Sequence, residues 1–288
     1  MKRKPKVSKT AYTQNMLPQN RKEIFFDVIH LQWRNLLLLG LILLLFALPL
    51  LLSTIAEDIY IPNFYASVDP DTTEQQMEAA YALAYWEIGR SLVNTLLLVL
   101  FSVAVSGVCR IIRQYAWEEN VHIPTDFVKG IKDNIMQMGS LFFLTGLIET
   151  LCLLVLYSAA SYKTSFLAIL YLLPIGISVL VVLPVFALCM VMIPVYCNRF
   201  SRNLKNAFSI YTQAPLKTLL AFGCCALVYV PSRIPNFYCH LFGGVICTLL
   251  TPFVLLAWTL FCYNQFDKYI NKELCPELVN RGILSDSE

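Results

Sequence analysis

The sequence predicts an all-α membrane protein: a polytopic bundle of about six transmembrane helices with amphipathic helices along its cytoplasmic surface. Three observations predict this. Hydrophobic residues make up 57% of the 288 positions, mean hydropathy is +0.61, and charged residues are 14%. A soluble domain of this size has no use for so much apolar surface. The apolar residues also gather in stretches near the twenty or so that cross a bilayer core about 30 Å thick. Finally, the basic residues fall mostly on alternate connections between those stretches.

Taken in order, the spans are residues 35–55, 92–109, 139–160, 166–197, 216–230 and 240–263. The first follows a polar lead and exceeds the apolar core of a cleaved signal peptide, so it is read as a true span. The fourth is too long for one upright helix and too short for two. Pro174, Pro184 and Pro194 lie within it, which predicts a single tilted or kinked helix. The fifth is short and stops at Pro231.

Nineteen Lys and Arg residues fall on one side of this arrangement and three, Arg90, Lys163 and Arg233, on the other. The excess of basic residues marks the cytoplasmic side, so both termini are expected there. The domain reading has three parts. Residues 1–34 form a basic cytoplasmic segment with an amphipathic stretch, 35–265 the six-helix membrane domain, and 266–288 a cytoplasmic tail.

Residues 56–89 form the one long loop on the opposite side, with seven acidic residues and no basic one. "SVDPDTTEQQ" reads as a turn and a helix start, with Asp71 or Thr72 as the cap. Met77, Tyr81, Ala84 and Ile88 then recur at helical spacing, so the second helix should begin outside the bilayer. The loop reads as a solvated acidic surface in preference to a cation site, because no calcium-loop spacing is present. Ten cysteines are present, eight of them within spans and none in a CxxC, so neither a metal site nor a structural disulfide is expected.

Two cytoplasmic segments share a pattern. "DFVKGIKDNI" and "RFSRNLKNAF" both place apolar residues every fourth position beside a basic face, with Lys129 and Lys132 in one and Arg202 and Lys205 in the other. Each reads as a helix lying at the membrane interface against anionic headgroups; residues 21–34 resemble a weaker third copy.

These segments carry a resemblance. "RNLLLLGLILLLFALPLLL", "EENVHIPTDFVKGIKDNIMQ" and "LPVFALCMVMIPVYCNRFSRNLKNAF" resemble the YesL-like family of Gram-positive integral membrane proteins. The matching positions are Pro49, Glu118 and Glu119, Asp126, Phe127 and Lys129, and Phe200, Arg202 and Lys205. The loop at 56–89 is longer than the family's pattern, and the tail departs from it. The resemblance implies an accessory role in carbohydrate uptake or sensing, beside an ABC importer or a sensor kinase. It assigns no activity and no site residues.

Catalytic signatures are missing. No GxSxG, HExxH or phosphate-binding glycine loop occurs, no nucleic-acid motif appears, and no cofactor is implied. An enzyme is therefore not expected. One residue invites a function. Glu149, in "LTGLIETLCLLVL", is the only acidic residue placed inside a span, ten or eleven residues from either end. A charge at that depth costs about 2.5–3.5 kcal/mol on insertion scales. With no Lys or Arg predicted at the same depth, Glu149 is expected to be protonated and to face other helices. Ser102, Ser106 and Thr251 are its candidate hydrogen-bond partners. Two roles follow: a structural hydrogen bond between helices, or a place in the path of a small transporter or channel.

Overall fold

The computed structural model describes residues 18–68, 72–160, 165–196, 198–234 and 236–283. The basic cluster at residues 2–9, together with Asp69, Asp71, Lys163 and Cys197, lies outside them. The described residues are helical with no strand: α1 Arg21–Val68, α2 Thr73–Ala116, α3 Ile123–Ala160, α4 Ser165–Ile177, α5 Leu183–Met192, α6 Phe200–Gln213, α7 Pro215–Leu227, α8 Gly244–Phe266 and the short α9 Lys272–Leu274. Five segments are long and apolar enough to cross a membrane. The chain is a multi-pass membrane protein built as an all-α bundle.

The chain's two described ends meet. Arg21 donates to the Asp267 carboxylate, which also accepts from Asn271 and from the Asn280 backbone N–H. We call this the terminal end of the bundle. At the opposite, distal end, His240 Nδ1 lies 2.6 Å from Asp58 Oδ2, joining the far part of α1 to the start of the last pass. Ends that meet require an even number of passes, while five segments have the length. The sixth pass is α7 with the turn Val230–Arg233 that follows it. Its 13 helical residues rise about 20 Å, well short of the 30 Å a bilayer core asks for. The predicted fifth span is therefore present as a pass of the bundle whose regular α-helix alone is not of membrane-crossing length. Pro231 ends it by supplying no N–H to continue the ladder.

The fourth span is one bent helix, as its prolines imply, and it ends at Met192 in place of residue 197. The bend is a π turn, Ser178–Val182, between α4 and α5. Pro184 has no N–H to reach the Leu180 carbonyl, so the ladder widens there, and the Tyr211 hydroxyl donates to that carbonyl at 2.7 Å.

Two sequence expectations are corrected. Residues 21–34 are not a separate interfacial segment but the first turns of α1, because no glycine or proline interrupts the chain before Gly40. Likewise Lys129 and Lys132 stand exposed on the first turns of α3, which runs unbroken from Ile123. Here α3 packs on α2 instead of lying flat: Phe127 covers Gly107, Gly130 lies against the Ser106 carbonyl, and Arg110 pairs with Asp133 at 2.8 Å. Arg202 and Lys205 do occupy a helix of their own, α6, and are exposed. Its buried face is Asn203, Ala207, Ile210 and Tyr211, with Asn203 bonded to Gln137 of α3 at 3.1 Å. The Phe200–Leu204–Phe208 stripe is less covered and borders a groove against Val185 and Phe186.

The second helix starts as expected beyond the apolar stretch. Thr72 caps it, and Gln75 returns a bond to the Thr72 N–H, a reciprocal cap. The tail does not stand apart from the bundle. Arg281 pairs with Glu119 at 2.8 Å and lies over the Trp117 ring, so residues to 283 close against the α2–α3 turn. Gly282, at φ +85°, occupies a left-handed position where a side chain would strike the Ala116 carbonyl.

Packing is uneven along the bundle axis. Leu36, Leu39 and Leu43 of α1, Ile111 and Ile112 of α2, Met138, Leu188, Met192, Leu256 and Phe266 are all fully buried. These lie in the terminal half. The distal half buries smaller and more polar groups, among them Ala47, Glu87, Ser91, Thr95 and Cys247. The core is closely packed in the terminal half and loosely filled in the distal half.

Candidate functional site

The loose end holds a cavity of about 500 Å³, in the size range of small-molecule sites. It exists because α7 stops early, leaving the distal flank of α8 without a full-length neighbour. Leu50, Leu51 and Thr54 of α1, Leu98 of α2, and Gly244, Cys247 and Thr248 line its walls. Its charged lining is Glu57, Arg90, Glu149 and Arg233, with His240 and Asn94 beside them.

Helix register brings these groups together. Along the α2–α3 pair, Gly146 faces Thr95 and the Ser91 and Thr150 hydroxyls lie 2.8 Å apart. Glu149 thus sits one residue from the partner of Ser91, level with Arg90. It is exposed, and its carboxylate makes no hydrogen bond or ion pair among the described residues. Both premises of the sequence reading fail here. Glu149 faces the cavity and not the interior of a helix pair, and two arginines, Arg90 and Arg233, line that cavity with it. A span's midpoint, counted along one helix, says nothing about the register of its neighbour.

The candidate partners lie elsewhere. Ser102 is fully buried opposite Gly139, ten residues from Glu149 along α3, or about 15 Å. Its hydroxyl donates to the Val99 carbonyl, and that of Ser106 to the Ser102 carbonyl. Thr251 donates to the Cys247 carbonyl and accepts from the Tyr229 hydroxyl at 3.1 Å, so it touches the cavity only through these two lining residues.

Residues the sequence reading did not single out form the rest of the site. Arg90 bridges Glu57 of α1 at 2.9 Å and Glu87 at 2.8 Å, and lies over the Trp86 ring. Trp86 in turn stacks on Tyr60, with centroids 4.4 Å apart. A sequence signal existed for this cluster. Arg90 is a lone cation at the edge of an apolar stretch, with Glu87 one turn before it and Asn94 one turn after it.

The polar lining is unequally used. Thr54, Ser232 and Thr248 each donate to a carbonyl of the preceding turn, at Leu50, Tyr229 and Gly244, so they can only accept from a ligand. Asn94 Oδ1 and Arg90 Nε are buried and without a partner. Arg233 is exposed and makes no ion pair among the described residues. Among those residues no group of three or more metal-ligating side chains occurs, and the nine described cysteines are free thiols. The arrangement suits reversible capture of a charged solute, with water access from the distal end. Comparison with known proteins returned no match among family models, curated proteins or solved structures.

Proposed function

We propose that this protein binds a small polar solute in the distal cavity and carries it through the membrane. The observation behind the reading is the cavity itself: a polar chamber of about 500 Å³ between apolar helices, open at one end and closed by a packed core at the other. Such a shape fits one face of an alternating-access cycle. In this reading the terminal end, where the basic residues gather, faces the cytoplasm and the cavity mouth faces outside. Glu149, unpaired on the wall, is the ligand contact this reading depends on.

Flux is the test. Purified protein in liposomes is offered radiolabelled glycine, acetate, ethylammonium and glucose. Uptake of at least one probe is expected, reduced about tenfold or more by Glu149→Gln, as befits loss of a charged hydrogen bond. The variant should melt with wild type, because Glu149 makes no hydrogen bond or ion pair among the described residues. No uptake of any probe, or full uptake by the variant, overturns the reading.

The accessory role implied by the YesL-like resemblance is the second reading. The feature in its favour is the paired extension of α1 and α2 beyond the cavity, which leaves Met77, Tyr81 and Tyr85 exposed on one stripe. Capture from native membranes tests it. An importer or kinase recovered with wild type, and lost when Tyr81 and Tyr85 become serine, supports a docking hairpin; recovery of the chain alone rejects it.

A further inference from the structure

Resting on the cavity reading above, we infer that the ligand is a small zwitterion, bound by its ammonium group at Glu149 and Asn94 and by its carboxylate at Arg233. The argument is one of remaining valence. Of the charged groups around the cavity, Arg90 is committed to Glu57 and Glu87, and Asp58 to His240. That leaves one anion, Glu149, and one cation, Arg233, each without an ion pair among the described residues. Asn94 Oδ1, buried and unpartnered on the same wall, needs a donor that an ammonium group would supply. Glu149 and Asn94 lie on α3 and α2, whose register puts them at neighbouring levels. Arg233 belongs to the turn beyond α7 on another side of the chamber.

A neutral polyol is a poor fit. It carries no charge, so it would leave Glu149 and Arg233 without counter-ions, and the hydroxyls of Thr54, Ser232 and Thr248, which have given their protons to backbone carbonyls, could only accept from it. A simple cation would leave Arg233 uncompensated, and a simple anion would meet Glu149. A ligand with both charges satisfies both, and an Arg guanidinium suits a carboxylate because it can bind both oxygens.

Calorimetry on protein in nanodiscs tests this with glycine, β-alanine and 4-aminobutyrate, whose charges lie progressively further apart. Propionate, ethylammonium and glucose are the comparisons. The expected result is one zwitterion bound at least tenfold more tightly than propionate and ethylammonium. In Glu149→Gln its advantage over propionate should vanish; in Arg233→Gln its advantage over ethylammonium should vanish. Thermal midpoints of both variants should match wild type, since neither side chain holds the fold. Tightest binding of glucose or of a singly charged probe overturns the zwitterion and leaves the cavity reading standing. An unchanged zwitterion affinity in either variant also overturns it. Failure of every probe to bind overturns both.

Discussion

Replacing Arg90 with methionine should destabilise the protein by about 3 kcal/mol. One guanidinium holds two carboxylates, Glu57 and Glu87, whose side chains are 27% and 9% exposed. Methionine keeps much of the length and the contact with Trp86 but removes the charge. The two carboxylates are then left facing each other in a partly dry setting. The estimate sits at the low end for a broken buried pair because the Arg90 side chain keeps 18% exposure. Chemical denaturation in detergent reads the loss. Adding Glu87→Gln should return part of it, since one carboxylate without a cation costs less than two. A single variant as stable as wild type would show that water already screens the cluster. Because Arg90 ties α1 to α2 beside the cavity, its loss should also weaken ligand binding.

The second large effect is expected at Gly40. A β-carbon there would lie 2.5 Å from the Leu249 carbonyl oxygen and 3.0 Å from its Cα. These are backbone atoms of α8, so no rotamer can move aside. Gly40→Ala should cost about 1–3 kcal/mol, the range for overpacking, and Gly40→Val more than alanine. The damage should spread along the α1–α8 seam, where Leu36, Leu39, Leu43 and Leu256 are fully buried. The melting temperature of the purified variants reports it. Wild-type stability in Gly40→Val would refute the close approach of the two helices.

How much of this was legible in the sequence depends on which forces the sequence records. Apolar stretches record the bilayer, so the main passes could be read, though not their ends, and the capping pattern narrowed the start of α2 to Asp71 or Thr72. The prolines recorded the bend of the fourth pass. What could not be read was register. Glu149 looked central because its own span was centred on it; the contact of Thr150 with Ser91 moved it to the level of Arg90. Continuity was also misjudged. An amphipathic stretch of 14 residues looks the same whether it stands as a helix of its own, as α6 does, or runs on into a pass, as residues 21–34 do. The cavity was invisible for a related reason: its walls come from residues as distant in sequence as Thr54, Asn94, Glu149 and Thr248, and only packing brings them together.

The brevity of α7 has a consequence for the lipid around it. Leu216, Leu220 and Leu227 are among its most exposed side chains, so the helix meets acyl chains directly. About 10 Å separates its rise from an average hydrocarbon thickness. Lipid beside it must therefore thin, at fractions of a kcal/mol per ångström of mismatch, while the five long passes hold the rest of the annulus at full height. A local dimple in the bilayer, on the flank of the cavity, is the expected consequence. Acyl-chain length is thereby a variable that acts on the site without touching it.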